Sequence, residues 1–188
     1  MIYAVVGVFV LLVIIVISMY NGLVGLRIQA DNAWADIDVQ LKRRYDLIPN
    51  LVQTVQGYAT HEKGTLEGVI AARNQAMTAA GPAAKAESEG LLTQALRQVF
   101  ALAEAYPQLR AVESFNQLQQ TLNQLEDTIQ NARRYYNAIV RDFNTKIAQF
   151  PSNIIAGMFN FKPREFFEIS APAEREVPKV SFGTGTAQ

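Results

Sequence analysis

LQQTLNQLEDTIQNARRYYNAIVRDFNTKIAQF, Leu118 to Phe150, decides the fold. Leu118, Leu122, Leu125, Ile129, Ala132, Tyr136, Ile139, Phe143, Ile147 and Phe150 recur at steps of four and three that alternate but for one repeated four, Phe143 to Ile147. A helix turns about 100° per residue, so this pattern draws one apolar seam. A seam of heptad period implies left-handed bundle or coiled-coil packing against other helices. The other faces are Gln, Asn, Glu and Arg, and the helix is bounded by Pro107 before it and Pro151 after it.

Upstream, the chain reads as helix throughout. Ala30, Ala33, Ile37, Leu41, Tyr45, Ile48, Val52, Val55 and Ala59 form a second stripe at steps of three or four. The stripe keeps its phase across Pro49, which implies a kinked helix and not a stop. The first stop signal is Lys63-Gly64, a basic residue followed by a glycine cap. A short Ala-rich helix is expected from about Leu66 to Ala80, ended by Gly81-Pro82, and a third from about Lys85 to Ala105. At 1.5 Å per residue the first helix rises about 54 Å beyond Arg27, the second returns about 22 Å, the third rises about 31 Å and the fourth descends about 63 Å. The fourth therefore ends close to the starting level. The expected fold is all-α: an N-terminal transmembrane helix continuing into an elongated antiparallel four-helix bundle.

The N-terminal part carries no ionisable side chain from Met1 to Leu26, and Arg27 is the first charge. Ala4 to Leu23 is a window of 20 residues, about 30 Å as a helix, enough to cross a bilayer's hydrocarbon core. Tyr3 and Tyr20 fall near its two ends, where amphipathic rings suit the interfaces. A cleaved signal peptide fits less well, because no Lys or Arg opens the chain and SMYNGLVGL is a poor cleavage site. The expected organisation is a transmembrane anchor at 1–26, a helical bundle at 27–150, an apolar membrane-proximal segment at 151–169 and a disordered tail at 170–188. Arg27, Lys42, Arg43 and Arg44 follow the anchor, so the positive-inside bias favours the bulk of the chain on the cytoplasmic side.

Composition narrows the chemistry. Lys plus Arg and Asp plus Glu are 17 each, which gives no global pull towards nucleic acid. The sequence has no cysteine, so disulfides, thiol nucleophiles and thiolate metal sites are excluded. Its one histidine, His61 in THEK, lacks a second ligand at helical spacing. No nucleophile elbow, phosphate-binding loop or dinucleotide fingerprint occurs. The expectation is a non-enzymatic chain without catalytic residues, cofactor or metal.

RRYDLIPNLVQTVQGYATHEKGTLEGVIAAR, Arg43 to Arg73, resembles the signature of the LemA family of bacterial membrane proteins. So does YPQLRAVESFNQLQQTLNQLEDTIQNARRYYNAIVRDFNTKIAQFPSNIIAGMF, Tyr106 to Phe159. The combination of DLIPNLV, ARRYYN and FPSNIIAGMF is the specific part, and with the anchor and FKPREFFEI the likeness covers residues 1 to about 169. The resemblance implies one membrane helix, a four-helix bundle and no established catalytic activity. It also implies links to envelope homeostasis, to a membrane metalloprotease and, in one branch, to intracellular membrane compartments.

Two features remain. Lys42-Arg43-Arg44 and Arg133-Arg134 are basic clusters, read as salt-bridge partners or as a contact for a shared anionic partner. FPSNIIAGMFNFKPREFF, Phe150 to Phe167, holds half of the chain's ten phenylalanines. Ile154, Ile155, Met158, Phe159, Phe161, Phe166 and Phe167 are its candidate contact residues. Three readings stay open for them: a cap folded onto the bundle's base, insertion into the membrane interface, or contact with a neighbouring subunit. The expected partners are the lipid bilayer and further copies of the chain, with a membrane metalloprotease or other membrane protein as the rival class and no nucleic acid. The function this supports is a self-associating membrane scaffold that organises or remodels the bilayer; the alternative is an adaptor of a membrane protease or envelope-stress signalling partner.

Overall fold

A computed structural model describes residues 1–168, and the expected tail at 170–188 lies outside them. Six helices follow one another: α1 (Ile2–Gln56), α2 (Lys63–Thr78), α3 (Pro82–Ala105), α4 (Pro107–Arg110), α5 (Glu113–Ala148) and α6 (Ser152–Met158). Among the described residues there is no strand.

The two stripes pack against each other. Leu23 reaches the basal cluster that also holds Phe143, Trp34 meets Tyr136, and Arg44 meets Glu126. From Trp34 to Arg44, ten residues up α1 match ten residues down α5, the register of an antiparallel pair. Arg44 also meets Glu89 and Tyr106 meets Glu62, so α3 runs parallel to α1. The main core joins α1, α2, α3, α4 and α5, from Ala30 at one end to Leu109 and Phe115 at the other. A smaller basal core joins Leu23, Phe143, Ile155 and Ala156. The last helix does return to the starting level, as the length arithmetic expects: a Cβ on Gly22 would lie 2.9 Å from the Lys146 ammonium.

α1 runs unbroken through Pro49. Proline has no N–H for the Tyr45 carbonyl four residues earlier. That carbonyl accepts instead from Arg73 Nε of α2, at 2.8 Å. A side chain from the neighbouring helix supplies the bond that the proline removes.

Lys63-Gly64 does not stop the first helix. α1 ends at Gln56, and Tyr58 and Ala59 both donate to the Val55 carbonyl to tighten the turn. Ala59 keeps the phase of the stripe and is buried, but in the turn and not in the helix. Gly64 lies in the first turn of α2 with open space around it, so its position does not need a glycine. Gly81 does: its φ of +83 and ψ of 160 belong to a region open only to glycine, and Pro82 follows at the first position of α3. The helix after Pro107 also comes in two pieces, because Val112 is extended between α4 and α5.

Candidate functional site

α6 is a short helix with two faces. Its inner side chains, Ile155 and Ala156, are buried against Leu23 and Phe143, with Met19, Tyr20, Leu26, Ile147 and Phe161 around them. Its outer side chains are open: Ile154 is 53% exposed, Met158 71% and Phe159 52%, and Phe150, just before it, is 80% exposed. Phe159 leans on Tyr20 with ring centroids 4.6 Å apart, and Phe161 lies edge-on to Tyr20 and Phe143 at 5.9 and 6.3 Å. The Arg27 guanidinium covers the Phe161 ring at 5.4 Å. The foot is thus fixed to α1 where its apolar part meets its first charge.

Beyond α6 the chain doubles back as an extended strap. Asn144 donates to the Arg164 carbonyl at 2.9 Å and accepts from the Arg164 N–H at 2.8 Å. Asn137, two helical turns away, does the same with Phe167 at 3.1 and 2.9 Å. The Tyr136 hydroxyl donates to the Glu165 carbonyl at 3.0 Å, and Arg164 is ion-paired with Asp31 of α1. Two carboxamides therefore satisfy strap backbone that would otherwise need a sheet partner. The strap lets Phe167 drop into the main core, 5.6 Å from Trp34, with Phe166 packed beside it.

The seven apolar candidates accordingly divide. Ile155 and Phe167 are buried within the chain, Phe161 and Phe166 are partly buried, and Ile154, Met158 and Phe159 are exposed. The surface that can meet another molecule is narrower than the sequence segment.

The basic clusters divide as well. Lys42 and Arg43 are exposed, whereas Arg44 is buried between Glu89 and Glu126, its Nη1 3.0 Å from an oxygen of each. Its Nη2 donates to the Thr93 hydroxyl at 2.8 Å. The Tyr45 hydroxyl donates to the other Glu89 oxygen, and Lys85 donates to the Ala76 carbonyl at 3.1 Å. Burial pushes the Glu89 carboxyl up from its ordinary value, against the Tyr45 bond and the Arg44 charge, which pull it down. Burial and then Glu89 likewise push the Tyr45 hydroxyl up. Arg134 is exposed and bonds to Gln130 and Asn131 of its own helix, while Arg133 is half-buried. In the α1–α5 register these two arginines lie level with residues 36 and 37, about 10 Å below Lys42 to Arg44. The two clusters do not form one basic surface.

The sequence had a signal for Arg44. It falls seven residues after Ile37 and four before Ile48, on the buried stripe. The strap gave less: Asn137 and Asn144 share one flank at heptad spacing, which carries little meaning without the segment they hold.

The apolar part of α1 is long enough to cross a membrane, and among the described residues no element covers Ile2 to Ile17. The LemA family model matches residues 33–182. The chain belongs to the LemA family. With its uncovered apolar helix, it is a membrane-associated member. It is similar to magnetosome proteins MamQ 1 and MamQ 2 of Paramagnetospirillum magneticum, each 26% identical over 176 residues. It is also similar to magnetosome protein MamQ of Magnetospirillum gryphiswaldense, 24% identical over 174 residues. In all three comparisons 79% of this chain is aligned, and it spans 64% of the relative's length.

Proposed function

We propose that this LemA-family chain is a non-enzymatic, single-pass membrane scaffold whose copies associate on the bilayer and organise or remodel it. One observation carries the reading: uncovered apolar surface continues from the anchor onto the foot. Ile2 to Ile17 is open on all sides, and Ile154, Met158 and Phe159 continue it at the level of Met19 and Tyr20. Contiguous patches of that kind are rare on soluble monomers and mark association with lipid or protein. Anchored in a bacterial inner membrane, with the bundle on the cytoplasmic side, the foot would lie at the headgroups, where an apolar turn can wedge between lipids. A role in organising a membrane compartment fits the magnetosome proteins that the chain resembles.

The test uses the full chain extracted in native membrane particles and returned to lipid vesicles. The expected result is particles larger than one chain and vesicles reshaped by the protein. Ile154→Asp with Met158→Asp should reduce both effects, since these side chains are exposed and neither belongs to the basal core. Single-chain particles and unchanged vesicles would refute the scaffold, and a stoichiometric complex with a membrane protease would favour the adaptor.

A further inference from the structure

We infer that copies of this chain assemble head to tail, the outer edge of α1 in one copy lying against the outer edge of α5 in the next. This rests on the scaffold reading and names the surface through which it would operate. The bundle buries Ala33, Ile37 and Leu41 of α1 and Ile129, Tyr136 and Phe143 of α5. At about 100° per residue, the edges pointing away from that core carry Ala35, Val39 and Lys42 on α1 and Asp127, Asn131, Arg134 and Ala138 on α5. All seven are exposed, as is Asp36 beside the α1 edge.

The edges are complementary at matched heights. Trp34 is level with Tyr136 and Arg44 with Glu126, so Asp36 is level with Arg134 and Lys42 lies within about a residue of Asp127. These four charges take no ion pair within the chain among the described residues, because the two edges face in opposite directions. A membrane anchor holds every copy upright at one depth. A neighbour shifted sideways along the bilayer therefore presents Arg134 to Asp36 and Asp127 to Lys42. Between them Val39 stands level with Asn131, and Ala35 lies about 4.5 Å above Ala138, side chains small enough for close helix approach. The new pair is antiparallel, as α1 and α5 are within one chain. Such a contact uses two different surfaces, so it does not end at a dimer but extends into a row or closes into a ring.

The cysteine-free sequence permits a direct test in the full chain in its membrane. Val39→Cys and Asn131→Cys stand level on opposite outer edges, too far apart to join within one molecule. On oxidation, co-expressed single variants should form a crosslinked dimer at least tenfold above either variant alone. The double variant should give a ladder of trimers and higher species. Asp36→Arg should lower the yield several-fold, and Arg134→Asp in the other copy should restore it. If Val39→Cys copies crosslink with one another as well as with Asn131→Cys, the contact is isologous and the inference fails. If no crosslink forms while the native particle still holds several copies, the row is wrong and the scaffold stands. If the particle holds one copy, both fall.

Discussion

Arg73 Nε lies 2.8 Å from the Tyr45 carbonyl, the acceptor that Pro49 leaves without its helical partner. One residue of α2 therefore sustains the continuity of α1. Arg73→Met should cost about 1–3 kcal/mol, the penalty of a buried acceptor left without a donor. Pro49→Ala restores the N–H, and in that background Arg73→Met should cost much less. Thermal unfolding of the four full-length chains in detergent micelles closes the cycle; an equal cost in both backgrounds would refute the coupling.

Arg44 and Glu89 make the second dependence, on pH. The folded state holds the Glu89 proton more tightly than the unfolded chain, because burial raises the carboxyl above its ordinary value of 4.5. Its contribution to stability is complete below that value and is lost as pH rises through the folded one. Glu89→Gln has no such titration. The wild-type chain should therefore lose stability relative to Glu89→Gln as pH is raised from about 4.5 towards 7. Arg44→Met, which leaves Glu89 buried without its cation, should cost about 3–5 kcal/mol near neutral pH and less in acid. A difference between wild type and Glu89→Gln that stays flat with pH would contradict the assignment.

These two sites mark what the sequence made legible. The α5 seam and the α1 stripe are burial patterns, and burial is what apolar periodicity encodes, so helix order, register and the return to the base follow from it. Phe150, the last seam residue, is exposed nonetheless, because α5 ends at Ala148 and the seam outlasts the helix. Gly64 misled because glycine marks a cap only where the backbone turns left-handed, and sequence does not report φ. Arg44 was legible by phase but hidden by composition, since three adjacent basic residues look like one patch. The strap was not legible, because it is held by side-chain to backbone bonds that impose no period.

Gly81 gives a local prediction. The nearest atom to a Cβ placed there is Glu165 Oε2 of the strap at 3.8 Å, ordinary contact distance. Space is therefore not the constraint; the backbone is. Gly81→Ala should cost about 1–3 kcal/mol from conformation alone. Gly64→Ala, in an open helical position, should be neutral or stabilising by up to about 1 kcal/mol. Similar melting temperatures for the two variants would contradict this account.

The two asparagine clamps predict how the strap lets go. Each carboxamide both donates to and accepts from one strap residue: Asn144 holds Arg164, and Asn137 holds Phe167. Asn144→Ala should release the Arg164 amide first, because Phe167 remains fixed by its own clamp and by burial at 2% exposure. Asn137→Ala should free the Phe167 amide, and with it the aromatic that packs on Trp34. Two lost bonds at about 1 kcal/mol each correspond to roughly tenfold to thirtyfold faster exchange at the released amide. Asn137→Asp should be worse than Asn137→Ala, since its carboxylate can accept from the Phe167 N–H but repels the carbonyl beside it. Residue-resolved hydrogen exchange on the full chain separates these outcomes. If either substitution releases both amides to the same extent, the strap opens as one unit and the clamps do not act independently.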